Sequence, residues 1–138
     1  VGSFFCCLAI VGVFSWRAGA PLSFVLPVGV RASGDALAAR GGRRWGRWRY
    51  RVLGGDPKSF QGSAAFWLCA WLWATAALSL WPPAVAWSPG LLALLIASGG
   101  TALEAAARRG FDNAAIPLGL CGLLQGLTAS HWGAPWSP

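Results

Sequence analysis

Residues 59–103 read SFQGSAAFWLCAWLWATAALSLWPPAVAWSPGLLALLIASGGTAL and contain no Asp, Glu, Lys or Arg. A water-soluble domain averages about one charged residue in four, so a run of 45 uncharged positions belongs to a different solvent. Trp81-Pro82-Pro83 divides the run, because proline lacks the backbone donor that a helix interior needs. Each half then has about 20 residues, the length of a membrane-crossing helix. The stretch reads as two spans joined by a tight turn.

The flanks follow the same logic. The 138-residue chain is 56% hydrophobic and 11% charged. Residues 1–16 are apolar and uncharged but short for a span, as expected of a truncated first helix. A signal-peptide core ending near residues 17–20 is the alternative, although the basic leader of such a signal is absent. Residues 18–39 can form a second helix, apolar to Val30. Residues 113–132 form a last apolar span with Pro117 in its first turn and a half. The expected fold is all-α: a polytopic transmembrane helical bundle of about five spans, one membrane-embedded domain over residues 1–138, with 133–138 as a disordered tail. The chain holds no Met, so it reads as N-terminally incomplete. Cys6, Cys7, Cys69 and Cys121 lie in apolar runs without CxxC spacing, beside a single His. They read as small buried hydrophobes, not as a zinc site or disulfide framework.

The net charge of +7 comes from 11 basic residues against 4 acidic ones. Seven of the basic side chains, Arg40, Arg43, Arg44, Arg47, Arg49, Arg51 and Lys58, fall in residues 40–58, interleaved with glycines, Trp45 and Trp48. This segment reads as a loop at the membrane surface. Residues 104–112 read as a second polar loop. With residues 40–58 on the cytoplasmic (or stromal) face, Trp81-Pro82-Pro83 lies outside without charge, and Arg108 and Arg109 return to the inner face. Only Arg17 is left outside, as the positive-inside rule asks. The basic excess is thus topological and calls for no nucleic acid.

The acidic residues are Asp35, Asp56, Glu104 and Asp112, all at helix ends or loops of that same face. Carboxylates hold Mg²⁺, and Lys and Arg neutralise phosphate oxygens, so the set describes a phosphate-and-metal site. A structural reading stands beside it: Arg31–Asp35 and Glu104–Arg108 each have the i,i+4 spacing of a helical ion pair. The segment Lys58-Ser59-Phe60-Gln61-Gly62-Ser63 is more specific. A glycine-flanked helix N-terminus presents amides and the positive dipole end to an anion, and Lys58 adds a point charge. The order of a Walker A loop is absent. A plain N-cap at Ser59 or Ser63 is the alternative.

Three segments together carry a resemblance: SGDALAA at 33–39, GGRRWGR at 41–47 and KSFQGSAAF at 58–66, followed by Glu104 and FDNAAIP at 111–117. In order and spacing, across residues 33–119, they resemble the CTP-dependent polyprenol kinase family, which includes dolichol, phytol and farnesol kinases and is related to the phosphatidate cytidylyltransferases. The Trp-, Ala- and Gly-rich character looks most like the phytol kinase branch. The resemblance implies a membrane enzyme transferring phosphate from CTP to an isoprenoid alcohol, with Mg²⁺ as cofactor, the membrane lipid phase as its setting and no nucleic-acid partner. By the same resemblance, Lys58, Ser59, Gly62 and Ser63 contact the nucleotide phosphates, with Arg43 and Arg47 close by and Asn113 hydrogen-bonding nearby. Asp35, Glu104 and Asp112 hold Mg²⁺ or orient the hydroxyl, and Asp35 or Asp112 accepts its proton. Gln61 stands where many relatives have Glu, which weakens a metal role at that position. A cytidylyltransferase using the same triphosphate site and an inactive membrane fragment remain the alternatives.

Overall fold

The computed structural model describes residues 2–17, 19, 21–52, 57–82, 87–107 and 112–128, with backbone alone for Gly2, Ser3, Phe4, Phe14, Asp112, Asn113 and Thr128. The expected tail at 133–138, Asp56, and the proposed partnership of Glu104 with Arg108 lie outside the described residues. The elements run α1 (Gly2–Arg17), α2 (Leu22–Trp45), β1 (Arg49–Tyr50), β2 (Lys58–Ser59), α3 (Phe60–Leu80), α4 (Pro89–Ala106) and α5 (Asp112–Thr128).

Local chemistry accounts for the central pair of helices. Ser59 is extended (φ −99°, ψ 139°) and its Oγ accepts from Gly62 N at 3.1 Å, which starts α3. The helix then meets no proline until Pro82 and ends at Leu80, leaving Trp81 outside it (φ −130°, ψ 75°), as the steric restriction on the residue preceding proline favours. Ser88 caps α4 in the same way, accepting from Leu91 N at 3.3 Å, with Pro89 in the first turn where its missing N–H costs nothing.

Helices α2, α3 and α4 are long and apolar enough to cross a bilayer, marking an integral membrane protein. The expectation of about five spans is corrected to three candidates among the described residues. Helices α1 and α5 have 16 and 17 residues, giving only about 24–26 Å at 1.5 Å per residue against a hydrocarbon core of about 30 Å. Large side chains left exposed on the long helices, such as Leu68, Leu72, Leu91 and Leu94, are ordinary on lipid-facing surfaces.

Helices α2, α3, α4 and α5 share one core, in which Leu26, Val30, Phe66, Leu78, Leu92, Ile96, Ile116 and Leu120 are fully buried. Helix α1 packs on α5 and α2 through a smaller cluster of Cys7, Val11 and Cys121. Cys7, Cys69 and Cys121 are buried free thiols as expected, whereas Cys6 is exposed. The most extensive helix pair is α2 with α3, and glycine makes it so. A Cβ on Gly34 would lie 2.7 Å from the Phe66 ring, one on Gly41 3.1 Å from Ala65 Cβ, and one on Gly29 would overlap the Trp73 indole. Small residues at such a seam let membrane helices approach closely where no hydrophobic drive joins them.

Two boundaries differ from the sequence reading. Helix α2 continues through Gly41 and Gly42 to Trp45, so the first part of the expected surface loop is helical. Beyond it, Arg49–Tyr50 and Lys58–Ser59 pair as a short antiparallel ribbon, with Arg49 opposite Ser59 and Tyr50 opposite Lys58. Glu104 stands in the last turn of α4 and not in a loop.

Candidate functional site

The C-terminal turns of α2, the ribbon, the first turn of α3 and the last turn of α4 meet at one end of the bundle. They enclose a cleft of about 550 Å³, within the size range of small-molecule sites. Main chain forms much of its floor. Gly62 lies close enough that a Cβ there would stand 2.7 Å from Ser59 Oγ and 3.1 Å from Ala38 O, and one on Gly42 would stand 2.9 Å from Ser59 Oγ. Charged side chains line it too: Asp35, Arg43, Arg49, Lys58 and the buried Glu104.

Of the residues singled out from sequence, Asp35, Arg43, Lys58, Ser59, Gly62, Ser63 and Glu104 line this cleft. Arg47 is exposed just beyond the end of α2 and does not line it. Helix α5 opens at Asp112 and Asn113, whose side chains lie outside the described residues. Arg49 does line the cleft, although nothing in the basic run distinguished it from its neighbours.

An ion pair ties the site together. Lys58 Nζ donates to Glu104 Oε1 at 2.6 Å, with the Glu104 side chain 6% exposed and that of Lys58 24%. The other carboxylate oxygen, Oε2, lies 3.5 Å from Ser63 Oγ, which is 2.5 Å from the Tyr50 hydroxyl. Tyr50, the chain's one tyrosine, was missed in sequence. A lone tyrosine among arginines was the available signal. Asp35 pairs with Arg31 at 2.7 Å, as the i,i+4 spacing predicts, and is half exposed while Arg31 is buried.

The expected free amides at the start of α3 are partly engaged. Phe60 N donates to Trp48 O at 2.9 Å and Gly62 N to Ser59 Oγ. The N-cap reading of Ser59 is therefore correct. Attraction for an anion here rests chiefly on Arg43, Arg49 and Lys58. Gln61 is not among the lining residues, and its buried Oε1 has no hydrogen-bond partner.

Among the described residues, no three His, Cys, Asp or Glu side chains group to hold a metal ion. Two carboxylates, Asp35 and Glu104, nevertheless line the same cleft. Mg²⁺ commonly uses one or two carboxylates and completes its shell with water and substrate phosphates. The number of carboxylates fits such a cation, with Asp35 paired to Arg31 and Glu104 to Lys58 in this structure.

Membrane helices ending in a basic, carboxylate-bearing cleft are the arrangement that the sequence motifs imply. The chain is similar to a phytol kinase. That relative, from Synechocystis sp., is 35% identical over 118 residues, which cover 81% of this chain and 46% of the relative. The chain thus spans about half the length of the curated relative it matches. No family model matches the chain, and no solved structure matches it.

Proposed function

We propose that the protein transfers a phosphoryl group from a nucleoside triphosphate, CTP by the family resemblance, to a membrane-dissolved isoprenoid alcohol. The observation that carries this reading is the convergence of Asp35, Arg43, Lys58, Ser63 and Glu104, drawn from three separate segments, on one cleft at the end of membrane-length helices. A soluble triphosphate explains the polar cleft, and a lipid acceptor explains its setting. The similarity to a phytol kinase supports the same chemistry.

Phosphoryl transfer asks chiefly for positioning and charge neutralisation. Lys58, Arg43 and Arg49 hold phosphate oxygens, with Arg47 near the entrance. Ser59 donates its hydroxyl proton to phosphate while its oxygen keeps accepting from Gly62, since a hydroxyl can do both. Ser63 contributes a second hydroxyl. The alcohol oxygen bonds to the γ-phosphorus, the bond from that phosphorus to the bridging oxygen breaks, and the nucleoside diphosphate leaves. The alcohol proton passes to a carboxylate, Asp35 or Asp112, and Asn113 hydrogen-bonds beside the phosphates. Asp35, Glu104 and Asp112 would hold Mg²⁺, which supplies charge neutralisation of the triphosphate when bound. The whole forms one membrane-embedded domain with its basic end on the cytoplasmic or stromal face.

Incubating membranes containing the protein with phytol and CTP labelled separately at the α- and γ-phosphorus tests this. Lipid-soluble label from the γ position with release of CDP is the expected result. Label entering lipid from the α position, with phosphatidate as acceptor and pyrophosphate released, assigns the site to a cytidylyltransferase.

A further inference from the structure

A second cavity, of about 460 Å³, lies beside the polar cleft against α3 and α4. It is lined by Tyr50, Phe60, Ser63, Ala64, Trp67 and Thr101. Phe60 and Ala64 are exposed on its flank. Trp67 is held in place, its indole N–H donating to Ser98 Oγ at 3.2 Å and its ring stacking on Trp71 with centroids 6.2 Å apart. Thr101 directs its hydroxyl to Ala97 O at 2.8 Å, which leaves little polar character in this groove away from Tyr50 and Ser63.

Ser63 lines both cavities. The ribbon is divided the same way: Arg49 lines the polar cleft and its neighbour Tyr50 lines the apolar groove, because successive strand side chains point to opposite faces. The Tyr50 hydroxyl and Ser63 Oγ, 2.5 Å apart, therefore mark a seam with charge on one side and hydrocarbon on the other.

We infer that, granted the phosphoryl-transfer reading above, this α3–α4 groove holds the apolar chain of the acceptor alcohol, and that Tyr50 and Ser63 position its hydroxyl at the seam. An alcohol with one polar end and a long hydrocarbon tail needs an apolar trough open to lipid and hydrogen-bonding groups where the trough meets the phosphates. Ser63 satisfies the second condition because it faces both cavities. Tyr50 can donate to the alcohol oxygen and fix the direction from which it approaches phosphorus. It acts as a positioning residue, while the nucleotide is bound without it.

The test is steady-state kinetics in proteoliposomes with phytol and CTP varied independently, alongside direct CTP binding. Thr101→Trp and Ala64→Trp fill the groove. Both should raise the KM for phytol tenfold or more and leave CTP affinity within twofold. Tyr50→Phe should lower kcat about tenfold without changing CTP affinity. Ala64 is exposed, so Ala64→Trp decides the matter if Thr101→Trp does not fold. Unchanged phytol kinetics in folded Ala64→Trp, with the wild type active, would overturn the groove assignment alone. A wild type that binds CTP but phosphorylates no alcohol, or binds no CTP, overturns the underlying reading and this assignment with it.

Discussion

Lys58 and Glu104 are separated by 46 residues of sequence and by 2.6 Å in the structure, joining the ribbon to the last turn of α4. Glu104 is buried and Lys58 partly so, so the carboxylate in particular depends on its partner. Removing one partner of such a pair leaves an uncompensated charge and typically costs about 3–5 kcal/mol. Losing a preorganised contact to reacting phosphate costs about 3 kcal/mol, on the order of 10²-fold in rate. Lys58→Ala and Glu104→Gln should therefore lower both thermal stability and turnover. The exchange Lys58→Glu with Glu104→Lys separates the two effects. It should regain much of the stability, measured by thermal unfolding in detergent, and leave turnover near that of the single variants. Recovery of activity to within about threefold of wild type would reduce the pair to a structural strut.

Arg47 and Arg49 are close in sequence but differ in placement, since only Arg49 lines the cleft. A hydrogen bond to a charged group is worth about 1.5–3 kcal/mol, so Arg49→Ala should weaken CTP binding tenfold or more. Arg47→Ala should weaken it by about threefold at most. Equal losses in a binding titration would place the nucleotide elsewhere. Gln61→Ala should leave activity within about threefold, because an uncharged amide is a poor ligand for a hard cation and this one does not line the cleft.

The start of α3 offers a graded pair of substitutions. Ser59→Ala removes the N-cap and should cost about 1 kcal/mol. Gly62→Ala should cost more, since its Cβ would meet Ala38 O at 3.1 Å as well as Ser59 Oγ, and a helix carbonyl cannot swing aside. Thermal unfolding of both variants checks the order, and a neutral Gly62→Ala would mean that the helices can part there without loss.

Topology follows from the same contacts. The Lys58–Glu104 bridge requires the start of α3 and the end of α4 to lie at one end of the bundle, leaving the connection between α3 and α4 at the other. Single cysteines at Arg51 and Trp87, both exposed, should label from opposite sides of oriented vesicles in a background lacking the four native cysteines. Labelling of both from one side would remove the transmembrane reading of α3 and α4.

The central spans were legible because uncharged length is a direct property of sequence, and Ser59 announces its helix by cap chemistry. The motif segments holding Lys58, Ser63 and Glu104 lie far apart in sequence, and their residues line one cleft. The end of α2 was not legible. Gly41 and Gly42 look like loop formers in isolation, but tight packing on α3 retains them in a helix, a tertiary effect that overrides local propensity. The ribbon was also hidden, since two-residue strands carry no periodic pattern, and with it went the separation of Arg49 from Tyr50. The span count failed because apolar character in α1 and α5 was not matched by described helical length.

The glycine seam between α2 and α3 has a bearing on how this site could diversify. Where the cleft runs past Gly42 and Gly62 its wall is peptide backbone, which has no rotamers to rearrange, and a side chain added there would meet Ser59 Oγ or Ala38 O. Variation in what the cleft accepts falls more easily on the exposed Arg43 and Arg49, since Lys58 is tied to Glu104. A designer seeking a different ligand would recode those two arginines and keep the glycines as a fixed template.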